Sequence, residues 1–224
     1  MAHREFKDRL YGEFARIGKA VASPQRLEFL DLLAQREWSV EELANETDQS
    51  IANASAHLKV LRTAQLVETR RDGSYIYYRL ADQNVVRLWQ AIRDIGQERL
   101  AEIDRIVDQF MAGRDDFQPV DAQTLLNRLH EDDVLLLDVR PKAEYDQGHL
   151  PGARSVPIDE LESHLEELDP DREIIAYCRG PYCLFADEAV ELLRQRGFQA
   201  RRMADGLPDW RMAGLPVQRE GVNE

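Results

Sequence analysis

The sequence EIIAYCRGPYCLFADEAVELL at residues 173–193 contains both cysteines of the 224-residue chain, Cys178 and Cys183. The apolar run before Cys178 has the length of a buried strand, and the apolar residues after Cys183 recur at helical spacing. A thiol at such a strand-to-helix turn faces a helix N-terminus and free backbone N–H groups, which stabilise an anion. We therefore expect a lowered thiol pKa at Cys178 and sulfur chemistry in this loop.

The residues around this loop alternate between helix and strand patterns. Residues 122–131 and 160–168 have helical character, whereas residues 134–139 form a continuous apolar run typical of a parallel strand buried on both faces. A further strand is expected around residues 200–203. This alternation predicts an α/β fold with a parallel sheet and crossover helices.

Two further segments accompany the cysteine loop: LDVRPKAEYDQGHLPGA at residues 137–153 and MADGLPDWRMAGLPV at residues 203–217. Together the three segments resemble the rhodanese domain, and the match runs from about residue 120 to residue 218. The resemblance implies a parallel α/β sheet whose loop cysteine carries a persulfide between a sulfur donor and an acceptor. Cys178 would be this carrier, and a small sulfur donor such as thiosulfate or polysulfide would be its partner.

The other residues of the loop and its surroundings fit the same chemistry. The backbone N–H groups from Arg179 to Cys183 would cradle the terminal sulfur of the persulfide, and Arg179 could attract thiosulfate or sulfite. Gly180 permits the loop to curl, Pro181 stiffens it, and Tyr182 completes its backbone. An ion-pair scaffold beneath the loop is expected from Asp138, Arg140 and Glu144. No cofactor is expected.

Cys183 occupies the sixth position of the loop, where many rhodaneses carry a basic residue. Two interpretations remain open: its thiol could attack the persulfide on Cys178, releasing sulfide and leaving a disulfide, or it could be a small buried hydrophobic residue. A phosphatase loop of the Cys-x5-Arg type is excluded, because Leu184 stands where arginine is required. Two thiolates fall short of a zinc site, so no metal is expected, although a thiophilic arsenic species could accept both.

The first half of the chain has the pattern of helices followed by a hairpin. In chain order we expect an amphipathic helix at residues 6–21, a second opened by Ser23-Pro24, a third opened by the capping box Ser39-Val40-Glu41-Glu42, a fourth at residues 50–64, and one long helix at residues 85–110. Alternating segments flank Asp72-Gly73, which predicts a hairpin that turns at these two residues.

Two short helices joined by a tight turn and followed by a basic hairpin predict a winged helix-turn-helix, whose fourth helix would enter the major groove of DNA. The candidate contacts to base edges or phosphates in this helix are Gln49, Ser50, Asn53, Ser55 and His57, with Lys59 and Arg62 on phosphates. The candidate contacts of the wing to the DNA backbone are Arg70, Arg71, Ser74 and Tyr75.

Residues 15–89 resemble the ArsR-type family of bacterial repressors. The resemblance is carried by ASPQRL at residues 22–27, SAHLKVL at residues 55–61 and RDGSYIYYRL at residues 71–80. It implies a homodimer paired through its first and last helices, and repression by occupying a double-stranded DNA operator. Many relatives sense metals, but the third helix here has no cysteine and the last helix has no histidine, so metal sensing is not expected.

The net charge of −13 is unevenly distributed along the chain. Residues 1–112 hold 16 basic and 18 acidic residues, whereas residues 113–224 hold 13 and 24. Residues 50–80, which include the proposed DNA-reading helix and wing, hold 5 basic and 2 acidic residues. This balance argues against nonspecific nucleic-acid binding by the whole chain and leaves a local basic patch for DNA.

The bulk composition favours a cytoplasmic protein with reduced thiols. No apolar run approaches the length of a membrane span, so no membrane partner is expected, and the charged N-terminus lacks the apolar stretch of a signal peptide. Two cysteines are too few for a disulfide scaffold. We expect a winged-helix DNA-binding and dimerisation domain at residues 1–112, a linker at 113–119 and a rhodanese-like domain at 120–224.

Three functional hypotheses follow from these patterns. The first is a transcriptional repressor whose rhodanese half reports sulfur or redox state to a DNA-binding dimer. The second is a sulfurtransferase whose DNA-binding half only regulates its own operon. The third is a sensor of arsenite, or of another thiophilic ligand, held by Cys178 and Cys183.

Overall fold

The fold is described from a computed structural model that covers residues 2–111, 119–131 and 133–219. The chain divides into two compact units, Met1–Asp94 and Ile95–Glu224. The linker expected at residues 113–119 lies outside the described residues except for Pro119.

The first unit is mainly helical and carries one small antiparallel sheet. Its elements are α1 (Ala2–Val21), α2 (Pro24–Gln35), β1 (Trp38–Ser39), α3 (Val40–Glu46), α4 (Ile51–Thr63), β2 (Val67–Asp72), β3 (Tyr75–Leu80) and the start of α5 (Gln83–Arg99). The strands lie in the order β1-β3-β2. Phe29, Leu30 and Leu58 are among the fully buried side chains that join α2, α3 and α4 into one core. The predicted winged helix-turn-helix is confirmed.

Local capping signals set the starts of the helices. Pro24 is the first residue of α2, and the capping box at α3 is complete: Ser39 accepts from the Glu42 N–H while the Glu42 carboxylate accepts from the Ser39 N–H. Ser50 caps α4 by accepting from the Asn53 N–H at 3.3 Å. Each cap satisfies backbone donors that the first helical turn leaves unpaired.

The hairpin turns one residue later than predicted. Asp72 pairs with Tyr75 across the strands, so Gly73 and Ser74 form the two-residue loop. Gly73 has a φ of +59°, and Ser74 is not among the residues with positive φ. This pattern fits turns that need glycine at the first central position, which explains why Asp72 remains in the strand.

The long helix expected at residues 85–110 is interrupted. Helix α5 ends at Arg99, Leu100 is extended (φ −112°, ψ 92°), and α6 spans Ala101–Phe110. A Cβ atom at Gly96 would lie 3.0 Å from Cδ1 of Ile103. Gly96 therefore leaves the space in which α6 packs back against α5, and the prediction of a single helix is wrong at this point.

The remainder of the second unit alternates strands and helices. Its elements are α7 (Ala122–His130), β4 (Val134–Asp138), α8 (Lys142–Gln147), β5 (Arg154–Ser155), α9 (Leu161–His164), β6 (Glu173–Tyr177), α10 (Phe185–Gln195), β7 (Ala200–Arg202) and α11 (Leu207–Met212). The four strands are parallel in the order β5-β4-β6-β7. Adjacent residues of β4 and β6 enter different apolar clusters, so both faces of the sheet are buried. The predicted α/β fold is confirmed.

Candidate functional site

The cysteine loop lies at the carboxyl end of β6, where ligands of open parallel sheets commonly bind. Cys178 follows β6 directly and is buried, whereas Cys183 lies two residues before α10 and is partly exposed. Both are free thiols. The Cys178 thiol donates to the Cys183 carbonyl oxygen at 3.4 Å, which folds the loop back on itself.

The backbone N–H groups of the loop are divided between the two sulfur atoms. Those of Gly180 and Ala186 favour the charged form of the Cys178 sulfur, and those of Arg179 and Phe185 favour the charged form of the Cys183 sulfur. The sequence predicted that the loop N–H groups would converge on one sulfur carried by Cys178. In the structure, they favour a negative charge on both sulfur atoms.

The two thiols have opposite acidities. Burial raises the pKa of Cys178 well above its ordinary value, and its interaction with Cys183 raises it further. The neighbouring Cys178 thiol instead lowers the pKa of Cys183, and nearby backbone N–H groups lower it further against the effect of burial. The expected low pKa of Cys178 is therefore not found in the reduced loop, where Cys183 is the more acidic thiol.

Arg179 is turned into the protein. Its Nε and Nη2 donate to Oε1 of Glu144 at 3.0 and 2.6 Å, and the Glu144 carboxylate is fully buried. The guanidinium also lies 5.3 Å from the Phe185 ring. Arg179 thus anchors the loop to α8, and its charge is matched by a buried carboxylate instead of facing an incoming anion.

Asp138 and Arg140 form a second buried ion pair at the end of β4. Arg140 donates from Nε to Oδ1 and from Nη2 to Oδ2 of Asp138 at 2.9 and 2.6 Å. Burial opposes the charge of Arg140, but the Asp138 carboxylate outweighs it and raises the pKa of the guanidinium. The Tyr177 hydroxyl also donates to Asp138, which ties β4 to the last residue of β6. The expected three-residue scaffold is therefore two pairs, Asp138–Arg140 and Glu144–Arg179.

Gly206 is a contributor to the site that sequence reasoning missed. A Cβ atom at this position would lie 2.2 Å from the Arg179 carbonyl oxygen and 2.6 Å from the Gly180 nitrogen. No side chain fits in that space, so the backbone before α11 forms a wall of the cysteine loop. The only available signal was the presence of Gly206 in the rhodanese-like segment at residues 203–217.

The outer surface of the loop is apolar. Tyr182 and Leu184, on either side of Cys183, are 38% and 40% exposed. Within the second unit, the Tyr182 hydroxyl donates to Oε1 of Gln97 at 3.0 Å. Gly180 and Pro181 complete the turn that separates the two cysteines.

The proposed DNA-reading residues differ in their availability. Asn53, Ser55, Lys59 and Arg62 are exposed along α4. Gln49 donates to the Thr47 hydroxyl, and Ser50 is used as a helix cap. His57 is half-buried: its ring packs edge-on against Phe29 and lies 3.5 Å from an Arg26 nitrogen.

Arg70 and Arg71 of the wing are both exposed but differ in their partners. Arg70 donates to Glu37 at 2.8 Å and to Asp72 at 3.2 Å, and these carboxylates raise the pKa of its guanidinium. Arg71, Ser74 and Tyr75 are exposed at the tip of the hairpin. The free positive charge of this surface is therefore centred on Arg71 and on the exposed cations of α4.

Apolar side chains are exposed in both units. On α1, Phe6, Tyr11 and Phe14 are each more than 60% exposed. On the helices of the second unit, Ile95 and Phe110 are similarly exposed. Exposed apolar side chains grouped on one face of a helix are typical of interaction surfaces.

Among the described residues, no three His, Cys, Asp or Glu side chains are grouped so that they could hold a metal ion. Over the same residues, none of the helices has the length and apolarity needed to cross a membrane.

Comparison with known proteins agrees with this division of the chain. A family model described as a helix-turn-helix domain matches residues 21–70, and one described as a rhodanese-like domain matches residues 121–213. The chain is 43% identical over 211 residues to the HTH-type transcriptional regulator Rv0324 of Mycobacterium tuberculosis, covering 94% of this chain and 92% of that protein.

Further similarities cover one half of the chain each. A protein of Allochromatium vinosum named "Sulfurtransferase" is 32% identical over 100 residues, covering 44% of this chain and 92% of that protein. The homodimeric winged helix-turn-helix domain Mb0332 of Mycobacterium bovis, described as a possible ArsR-family regulator, is 44% identical. Its structure matches with a TM-score of 0.40 and covers 42% of this chain and 87% of that one.

Proposed function

The chain belongs to the ArsR-type helix-turn-helix transcriptional regulators and carries a rhodanese-like domain, and from this premise we propose that Cys178 forms a persulfide that reports sulfur state to the DNA-binding half. The observation that supports this role is the pair of free thiols in one loop at the carboxyl end of β6, where the Cys178 thiol donates to the Cys183 carbonyl oxygen at 3.4 Å. Backbone N–H groups at such a turn stabilise a negatively charged sulfur.

Loading begins with proton transfer inside the pair. The Cys183 thiolate accepts the proton of the Cys178 thiol, and the Cys178 thiolate then attacks the outer sulfur of the donor. With thiosulfate, the donor S–S bond breaks, sulfite leaves with the electron pair, and Cys178–S–S⁻ is formed. Cys183 therefore acts first as the base for the nucleophile.

A second step converts the persulfide into a disulfide. The Cys183 sulfur attacks the inner sulfur of Cys178–S–S⁻, the terminal sulfur leaves as HS⁻, and a Cys178–Cys183 disulfide remains. The two thiols are oxidised and the transferred sulfur is reduced, so no other oxidant is needed. This step assigns Cys183 as a resolving thiol.

The DNA-binding role rests on the exposed end of α4 and the wing. We assign base reading to Asn53 and Ser55, and phosphate contacts to Lys59, Arg62 and Arg71. Two copies of the chain would pair through the exposed apolar faces of α1 and of the helices that follow the wing. The regulator would act in the cytoplasm, with domains at residues 1–112 and 120–224.

A two-part experiment tests the proposal. Mass spectrometry after exposure to polysulfide should show added sulfur on Cys178, none in Cys178→Ser, and a persulfide without disulfide in Cys183→Ser. Operator DNA selected in vitro by the reduced protein should then bind about tenfold more weakly to the sulfur-treated protein, a change of about 1.4 kcal/mol. Equal operator affinity of the reduced, persulfide and disulfide forms would contradict the sensor role.

A sulfurtransferase activity is the second candidate. It is favoured by the 32% identity with the sulfurtransferase of Allochromatium vinosum over the rhodanese-like half. Multiple turnovers from a donor to cyanide, with operator affinity unaffected, would support this candidate over the sensor.

A further inference from the structure

The loop lacks a cation that faces an incoming donor. Arg179 is the only basic residue between positions 178 and 185, and it is held by the buried Glu144 through bonds of 2.6 and 3.0 Å. A carboxylate so close to the guanidinium cancels most of its field at any distance beyond the pair. A dianion approaching Cys178 therefore gains little attraction from Arg179.

The backbone donors that would compensate for this loss are partly occupied. The N–H group of Cys183 donates to the Gly180 carbonyl oxygen at 3.2 Å and is therefore used within the loop. An anionic donor must compete with this carbonyl oxygen for the hydrogen bond. Thiosulfate, with its charge spread over three oxygens and a sulfur, needs more of these donors than a donor with a single charge.

The surface next to the thiols is instead suited to an apolar group. Tyr182 and Leu184 flank Cys183 and remain 38% and 40% exposed, and Pro181 precedes them. An aromatic ring and an aliphatic side chain together can cover an apolar group of a ligand and exclude water from it. This surface can therefore contact an apolar group, whereas an arginine at the same place would attract an anion.

We propose that the donor that loads Cys178 is an organic sulfane-sulfur compound with an apolar group and at most one negative charge, and that thiosulfate is a poor donor. This inference rests on the proposed persulfide chemistry of Cys178 and specifies its substrate class. Tyr182 and Leu184 determine the preference by contacting the apolar group.

Benzenethiosulfonate and thiosulfate are a matched pair of probes. In both reactions the Cys178 thiolate bonds to the sulfane sulfur, and the bond from that sulfur to the oxidised sulfur breaks. Benzenesulfinate leaves with the electron pair in one case and sulfite in the other, and Cys178–S–S⁻ is the product of both. The probes differ because a phenyl ring replaces one charged oxygen.

The experiment measures the rate at which each probe adds sulfur to Cys178, by mass spectrometry of the full chain. Each rate is divided by the rate of the same probe with free cysteine, which removes the difference in intrinsic reactivity. The normalised rate should be higher for benzenethiosulfonate. Leu184→Arg should raise thiosulfate loading by about tenfold, because it places a cation beside the thiols, and Tyr182→Ser should slow only the aromatic probe.

Gln123→Arg on the exposed face of α7 adds the same net charge and is the control for Leu184→Arg. Equal normalised rates of the two probes in the wild type, or an unchanged ratio in Leu184→Arg, would overturn the inference. If polysulfide loads Cys178 and neither probe prefers the wild-type loop, only the donor class is wrong. If no donor adds sulfur to Cys178, the persulfide itself is wrong, and the inference fails with it.

Discussion

The arginines of the proposed DNA-contacting surface and those around the cysteine loop have opposite surroundings. In the first unit, Arg62 and Arg71 lie exposed on the surface proposed to contact phosphates. In the second unit, Arg140 is buried and Arg179 is half-buried, and each donates two hydrogen bonds to a buried carboxylate. The comparison indicates that a nearby buried carboxylate engages the guanidinium in the second unit, whereas exposed arginines of α4 and the wing remain available to a ligand.

The energetic consequences of this difference are also opposite. A surface pair such as Arg70–Glu37 contributes little to stability, because its arginine is well solvated with or without the carboxylate. Removing one member of a buried pair leaves an uncompensated charge in a medium that solvates it poorly. The same substitution should therefore have very different effects on the stability of the two units.

Arg140→Met should give the largest effect. It leaves the Asp138 carboxylate buried without its partner, so the free energy of unfolding of the second unit should fall by about 3 to 5 kcal/mol. Arg70→Met in the wing is the matched variant and should change stability far less, because Arg70 is exposed to solvent. Urea denaturation measures the free energy of unfolding of both variants, and an unchanged m value shows that only stability has changed.

The double variant Asp138→Leu/Arg140→Met sharpens this comparison. Because it removes both charges, it should recover part of the stability lost in Arg140→Met. If Arg140→Met and Arg70→Met have similar effects, the buried pair does not support the second unit as argued. The contrast between the two uses of arginine would then have no energetic basis.

Much of the fold was predictable because its causes are local. The capping box at Ser39, the proline at the start of α2 and the apolar run of β4 act through neighbouring residues. The position of the cysteine loop followed from the same logic, since a strand pattern ends at Cys178 and a helix pattern begins after Cys183. Fold class and the location of the thiols could therefore be predicted from sequence.

The remaining features depend on residues that are distant in the chain. The partner of Arg179 is Glu144, 35 residues away. Gly206 approaches the loop from the segment between β7 and α11. The pKa values of the two thiols depend on burial and on their mutual hydrogen bond, which the spacing of cysteines does not reveal. The break at Leu100 likewise depends on how Ile103 packs against Gly96.

Substitutions on the DNA-facing surface test the other side of the comparison. Arg71→Ala or Lys59→Ala should weaken binding to all DNA sequences alike, because each removes a phosphate contact. The slope of the logarithm of the binding constant against the logarithm of the salt concentration should fall in magnitude by about one. Arg70→Ala should reduce it less, because Glu37 and Asp72 already hold that charge. Titrations of selected operator DNA at several salt concentrations provide these slopes.

Specificity should respond to a different residue of α4. Asn53→Ala should reduce discrimination between operator and mutated operator by about 1 to 3 kcal/mol, since an exposed amide near the start of the helix can contact a base edge. A double variant at Asn53 and Arg71 that binds the operator as well as the wild type would rule out this interface.

The smallest effect is expected within the cysteine loop, where each thiol shifts the pKa of the other. As pH rises, the thiol with the lower pKa ionises first and is alkylated first, so iodoacetamide should label Cys183 at lower pH than Cys178. Cys183→Ser removes the neighbouring thiolate, which should lower the pKa of Cys178 and move its labelling to lower pH. Cys178→Ala removes the side chain that lowers the pKa of Cys183 and should move labelling of Cys183 to higher pH. Labelling profiles from mass spectrometry that shift the same way in both variants, or not at all, would show that the thiols ionise independently, and proton transfer from Cys178 to Cys183 would lose its basis.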